Sequence, residues 1–71
     1  MLRMTKEREA LDLTKRELGA HSDTHPVRIG QIENQRVRPY AVEMLRIAAA
    51  LGWTGDWTGL LEEVDDERTR D

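Results

Sequence analysis

Residues 25–33 read HPVRIGQIE and have the pattern of a short amphipathic helix. Ile29 and Ile32 are three positions apart, so they lie on one helical face while the polar residues point elsewhere. Pro26 suits the first helical position because its φ is preset and its missing amide is not needed there. A helix this short is marginal in water, so we expect a scaffold to hold it. Its polar face is then free to contact a partner.

The residues upstream predict two helices that form this scaffold. Residues 2–11 consist mostly of strong helix formers and indicate a first helix. Thr14 and Glu17 have the spacing of a capping box, in which the hydroxyl and the carboxylate each accept a hydrogen bond from the other residue's amide. We therefore expect a second helix to begin at Lys15 and to end near residues 20–21.

A tight turn is predicted between the second helix and residues 25–33. Gly19 costs up to ~1 kcal/mol relative to alanine inside a helix, so we expect another backbone to approach it closely. Asp23 in the following Ser-Asp-Thr segment is able to adopt a left-handed conformation. Either Thr24 or His25 is expected to cap the next helix.

Downstream, the sequence predicts a polar loop and two more helices. The fourth helix begins at Pro39 and ends at Gly52, and its apolar stripe comprises Val42 or Met44, then Leu45, Ala48 and Leu51, with Ile47 beside them. A fifth helix is predicted from a cap at Asp56 to about Val64. Residues 65–71 are charged and predicted to be a disordered tail, which leaves one domain at residues 1–64.

The composition limits the class of protein. With 71 residues the chain forms one domain, and without cysteine it has no disulfide and no zinc–thiolate site. No apolar run approaches the ~20 residues that span a bilayer, so we expect a cytoplasmic or nucleoid-associated protein. No set of nucleophile, base and acid is discernible, so we predict no enzymatic activity, no cofactor and no metal site.

The charge is unevenly distributed along the chain. The net charge is −3, yet residues 1–46 carry nine Lys/Arg and seven Asp/Glu, whereas residues 47–71 carry two and seven. A local basic surface, and not the charge of the whole chain, is what neutralises nucleic-acid phosphates. The asymmetry is compatible with DNA binding and also with an ordinary solvated surface.

The joint pattern from residue 8 to residue 52 resembles the lambda-type repressor (Cro/CI, or XRE) helix-turn-helix family. The matching positions are Arg8, Leu13-Thr14, Leu18-Gly19, Ile29, Ile32-Glu33, Pro39, Met44, Ile47-Ala48 and Leu51-Gly52. The resemblance implies an all-α bundle of five short helices in which the second and third form a DNA-binding helix-turn-helix. The sequence departs from the family at Ser22, Asp23 and Gln35, where an apolar residue and two glycines are usual, so we expect a turn and a loop of different shape.

The same resemblance implies roles for individual residues. Arg8 and Glu33 are expected to form a salt bridge between the first helix and the recognition helix. The residues expected to contact base edges in the major groove are His25, Pro26, Val27, Arg28 and Gln31. The residues expected to contact phosphates are Lys15, Asn34, Arg36 and Arg38.

A single motif of this size reads few base pairs, so the resemblance implies a homodimer on an inverted-repeat operator. The candidates for the dimer surface are Trp57, Leu60, Leu61 and Val64, although a core role for some of them is equally compatible. We expect a transcriptional regulator that represses by binding double-stranded DNA. The alternatives are an antitoxin that binds a protein partner through the acidic tail, and an interaction module that has lost DNA binding.

Overall fold

The computed structural model describes residues 1–64 and contains four α-helices and one 3₁₀ helix. These are α1 (Arg3–Ala10), α2 (Lys15–Ser22), α3 (Pro26–Glu33), α4 (Ala41–Leu51) and the 3₁₀ helix Trp57–Leu61. The all-α helix-turn-helix bundle is thus confirmed, and the fifth helix is shorter than predicted and of the 3₁₀ type. The predicted tail lies outside the described residues. None of the described helices has the length and apolar character needed to cross a membrane.

The core draws side chains from every helix. Its buried apolar residues are Leu2, Met4, Leu18, Ile29, Ile32, Met44, Ile47, Ala48, Leu51 and Leu60. In α4 the inward face follows Met44, Ile47 and Leu51, which are spaced as successive helical turns require. The predicted place of Leu45 in this stripe was wrong, because its side chain is one position away from that face and 57% exposed.

Close packing of α2 on the following turn explains the glycine inside this helix. A methyl group at Gly19 would overlap the carbonyl oxygen of Thr24, and it would lie 3.3 Å from the nitrogen of Pro26. The Thr24 amide also donates to the Gly19 carbonyl oxygen at 2.9 Å. The predicted close approach is confirmed, and it fixes the angle between α2 and α3.

The two departures from family glycines keep a glycine-like backbone. Asp23 ends α2 with a φ of 54°, and Gln35 has a φ of 59° in the loop after α3. Both values fall in the left-handed region, which costs an L-residue ~1–2 kcal/mol. These two positions therefore have a backbone conformation that favours glycine, and the expected difference in turn and loop shape from other family members stays a prediction.

The polar residue at position 22 is buried but satisfied. The hydroxyl of Ser22 donates to the Leu18 carbonyl oxygen at 2.7 Å. The Ser22 carbonyl oxygen in turn accepts from Nε of Arg46 at 3.0 Å, which ties the turn to α4. Buried polar groups are tolerated when they are paired in this way.

The two ends of the described chain pair with each other. The Arg3 amide donates to the Glu62 carbonyl oxygen, and the Val64 amide donates to the Met1 carbonyl oxygen, each at 2.8 Å. Leu2 and Glu63 form an isolated antiparallel bridge between these bonds. The pairing covers the edge of the core next to α1 and the 3₁₀ helix.

Candidate nucleic-acid interface

The helix α3 has one side that is buried in the core and another side, near its start, that is exposed. Ile29 is fully buried and Ile32 is 1% exposed, so this face anchors the helix as the sequence predicted. Val27 on the opposite side is 61% exposed, His25 is exposed and Gln31 is half-buried. Within residues 1–64 the Gln31 side-chain amide has no hydrogen-bond partner, so its donor and acceptor remain available.

His25 caps α3 with its own side chain. Its Nδ1 accepts a hydrogen bond from the Val27 amide at 3.1 Å, and Pro26 occupies the first helical position. One of the orphan amides at the helix start is thereby satisfied. This bond settles the choice between Thr24 and His25 that the sequence left open, and it fixes the orientation of the imidazole ring.

A buried ion pair joins the C-terminal end of α3 to α1. Nε of Arg8 donates to Oε2 of Glu33 at 2.8 Å, and Nη2 donates to Oε1 at 3.2 Å. Nη1 of the same guanidinium donates to the Leu13 carbonyl oxygen at 2.7 Å. The two charged side chains are only 9% and 4% exposed, so the pair joins α1 rigidly to α3.

A second ion pair holds the exposed side of α3 against α4. Arg28 donates to both carboxylate oxygens of Glu43, at 2.8 and 2.9 Å. Its guanidinium carbon also lies 5.5 Å from the ring centroid of Tyr40. The pair raises the pKa of Arg28, chiefly through these hydrogen bonds, and the same bonds lower the pKa of Glu43. Arg28, which the sequence assigned to base contact, is therefore already paired within the protein.

Sequence reasoning missed Glu43 and Tyr40. The Tyr40 amide donates to Oε1 of Glu43 at 2.9 Å, so Glu43 caps the start of α4 as well as pairing with α3. The spacing of these two residues, three apart just before a helix, is that of a capping-box partner and was the available indication. It also explains why α4 begins at Ala41 and not at Pro39.

Lys15 lies along the exposed face of α3 although it belongs to α2. Its Cδ and Nζ would lie 3.8 and 3.9 Å from a Cβ built at Gly30. The missing side chain at Gly30 thus leaves room for the lysine stem. The ammonium group lies beside the middle of α3, and it forms no ion pair among residues 1–64.

Three further polar residues follow α3 in the loop that leads to α4. Asn34 forms the C-terminal cap position of α3, and Arg36 and Arg38 lie within the loop. All three side chains are exposed. Lys15 lies beside Gly30 of α3, and these three residues follow the C-terminal end of the same helix. Polar and cationic side chains are therefore present at two places along α3, and such side chains are the ones that contact phosphates.

Comparison with known families fits this geometry. The family model described as helix-turn-helix matches residues 4–57, which is well over half of the chain. The chain belongs to the XRE, or lambda-type, helix-turn-helix family. No curated protein and no solved structure matches it. As a member of this family it is a DNA-binding transcriptional regulator, and α2 and α3 form its helix-turn-helix.

The candidate dimer residues of this helix-turn-helix protein divide into two groups. Leu60 is fully buried, so its assignment to a dimer surface is corrected and it belongs to the core. Trp57, Leu61 and Val64 are half-buried, and the first two pack against the core while keeping exposed area. These three remain available for contact with a second subunit.

His21 and His25 are four positions apart, a spacing at which two histidines can share a metal ion, and the described part of the chain offers them no third ligand. No group of three or more His, Cys, Asp or Glu residues is placed to hold an ion there. His21 lies on α2, whereas Nδ1 of His25 is engaged as the cap of α3. The geometry gives the imidazole of His25 a structural role.

Proposed function

We propose that this regulator is a repressor that binds an inverted-repeat operator as a homodimer, with α3 in the major groove. Bound there, it blocks transcription sterically. The proposal rests on one observation: α3 has exposed residues beside the Lys15 side chain, and the buried Arg8–Glu33 pair joins the C-terminal end of this helix to α1. The exposed Arg36 and Arg38 follow in the next loop. A pre-positioned helix flanked by cations satisfies what major-groove readout needs.

Base contacts are assigned to the exposed residues at the start of α3. The Gln31 amide has the donor and acceptor that pair with adenine N7 and N6, a contact worth ~1–3 kcal/mol of discrimination. Pro26 and Val27 offer apolar surface to a thymine methyl group, and the free ring nitrogen of His25 is the remaining polar group. We therefore expect few hydrogen bonds to bases and a preference for A·T pairs.

Phosphate contacts are assigned to Lys15 on one flank and to Asn34, Arg36 and Arg38 on the other. These contacts release counterions, so each lost cation should lower affinity for every sequence and reduce the salt dependence by about 0.9 in slope. Homodimerisation is assigned to the surface formed by Trp57, Leu61 and Val64, because one motif alone reads too few base pairs for specificity.

The test is selection of bound duplexes from a random DNA pool, followed by affinity measurements at two salt concentrations. The expected result is an inverted repeat with half-sites about one helical turn apart, bound with strong salt dependence. Gln31→Ala should relax the preference at one position per half-site, whereas Arg36→Ala should weaken all sequences alike. Absence of a salt-sensitive shift at micromolar protein would exclude the DNA-binding proposal.

The purified protein and its complex with DNA also test the antitoxin alternative and the homodimer. Co-purification of a stoichiometric protein partner would favour an antitoxin, and sedimentation as a monomer on DNA would remove the homodimer from the proposal. A cytoplasmic or nucleoid-associated location follows from the proposed target. We assign the chain no enzymatic activity and no cofactor.

A further inference from the structure

We propose that Glu43 is a specificity-determining residue, because it holds the Arg28 cation against the protein and keeps it from DNA. Arg28 is then a positioning residue that fixes α3 to α4, and not a reader of bases. This inference rests on the proposed DNA-binding function. It adds a means by which the protein limits non-specific binding to DNA.

The edge of the guanidinium formed by Nε and Nη2 is occupied within the protein, whereas Nη1 has no hydrogen-bond partner among residues 1–64. Arg28 uses Nε and Nη2 for the two Glu43 oxygens at 2.8 and 2.9 Å, and Nη2 also lies 3.5 Å from the Arg38 carbonyl oxygen. Tyr40 covers one face of the group. A bidentate arginine–carboxylate pair is directional, so a bidentate base contact through the Nε–Nη2 edge would require the pair to break.

The carboxylate is in turn held on two sides. Oε1 of Glu43 accepts from the Tyr40 amide as well as from Arg28, and the side chain is 12% exposed. The pair is thus fixed to the first turn of α4, beside the loop that carries Arg36 and Arg38. Arg28 keeps 25% of its side chain exposed, so part of this charged group lies at the surface of α3 itself.

The pair changes what the interface offers to DNA. An unpaired arginine at this position would neutralise one DNA phosphate whatever the base sequence, and it would so strengthen non-specific binding. An unpaired glutamate would repel the same phosphates. Paired, the two groups cancel, so affinity depends on the α3 contacts and on the loop cations. The preference for specific DNA sequences increases because the sequence-independent phosphate contribution to affinity is reduced.

The experiment compares four proteins on two DNA probes: the wild type, Glu43→Gln, Arg28→Met, and the double variant. The probes are a duplex selected by the wild type from a random pool and a random-sequence duplex of equal length, each titrated at several salt concentrations. Glutamine keeps an oxygen that accepts from the Tyr40 amide, so Glu43→Gln removes the charge with little change to the cap. Arg3→Met, on α1 and outside the proposed interface, is the control and should match the wild type.

Glu43→Gln should bind the random duplex more tightly, with a slope of log K against log salt steeper by about 0.9, and its ratio of specific to random affinity should fall. Arg28→Met leaves the carboxylate unpaired, so both duplexes should bind more weakly with unchanged base preferences. The double variant should return to near the wild-type slope, because both charges are absent.

Two results would overturn the proposal. Relaxed preference at one base pair in Arg28→Met would make Arg28 a base reader, and an unchanged or shallower slope in Glu43→Gln would show that the carboxylate does not restrain the cation. Urea unfolding of each variant verifies that it is folded. If Glu43→Gln does not fold, the base preferences of Arg28→Met decide alone. A wild type without salt-sensitive binding would instead remove the proposed function itself.

Discussion

The guanidinium of Arg8 donates to both carboxylate oxygens of Glu33, so that α1 and the last turn of α3 share one buried bidentate ion pair. The pair lies on the side of α3 that faces the scaffold, opposite to Val27. With Arg28 and Glu43 on the other side, α3 is fixed by two such pairs. Two anchors compensate for the small apolar contribution of a helix that buries only two large side chains.

Removing one partner of the buried pair should strongly destabilise the protein. Glu33→Gln removes the nearer carboxylate from the buried Arg8 cation and leaves it only the Glu9 carboxylate at 3.8 Å. Breaking a buried pair costs ~3–5 kcal/mol, so we expect a loss toward the lower end of this range. The measurement is the free energy of unfolding from urea titration. The matched control is Glu7→Gln, which breaks the partly exposed Arg3–Glu7 pair at 3.9 Å and should cost no more than ~1 kcal/mol. Equal losses in the two variants would contradict the buried role.

Two glycine-to-alanine substitutions inside helices should act in opposite directions. Gly19→Ala introduces a methyl group that overlaps the Thr24 carbonyl oxygen, so α2 and the turn must shift, at a cost of ~1–3 kcal/mol. Gly30→Ala meets only the Lys15 side chain at ordinary contact distance and gains up to ~1 kcal/mol of helix propensity. Urea midpoints of both variants test this pair, and a stabilising Gly19→Ala would show that the turn is not closely packed.

The Arg28–Glu43 pair should make stability depend on pH in the acid range. Hydrogen bonds from Arg28, and then from the Tyr40 amide, hold the pKa of Glu43 below its ordinary value of 4.5. The unfolded chain has the ordinary value, so the stabilisation is fully present above that value and is lost as pH falls through the lowered pKa. Wild type should exceed Glu43→Gln in stability at pH 7, and urea titrations should show this difference narrowing below about pH 4.5. A constant difference down to pH 3 would contradict the assignment.

Two substitutions of His25 should separate its role as the cap of α3 from its proposed role in DNA contact. His25→Ala removes the acceptor for the Val27 amide and should cost ~0.5–2 kcal/mol of stability, whereas His25→Asn supplies another capping oxygen and should keep most of it. Affinity for the selected duplex should fall in both variants, because both lack the imidazole. Stability comes from urea unfolding and affinity from fluorescence anisotropy. An alanine variant as stable as the wild type would show that the cap contributes nothing.

Much of the fold was predictable because local chemistry determines it. The capping box of Thr14 and Glu17 is present, with bonds of 2.9 and 3.0 Å, and the Gly19 approach and the left-handed Asp23 follow from conformational limits on single residues. Ile29 and Ile32 are buried as their spacing required.

The remainder depended on contacts between distant parts of the chain. Arg28 and Glu43 are 15 positions apart, and they meet because α3 and α4 both pack on α2. The last helix stays short because the Glu62 carbonyl oxygen accepts from the Arg3 amide and so leaves the helical path. Leu60 is buried for the same reason, since the returning chain closes over it. No local pattern contains this information.

The pairing of residues 1–3 with residues 62–64 closes a long loop, so we expect it to form late in folding. The Met1 amino group reaches the Val64 carbonyl oxygen across 63 positions, whereas the α2–α3 turn joins residues only a few positions apart. Closing the long loop is entropically costly and comes late, while local turns form early. The helix-turn-helix should therefore assemble first, and the joined ends should complete the structure and be the first part to open under denaturant.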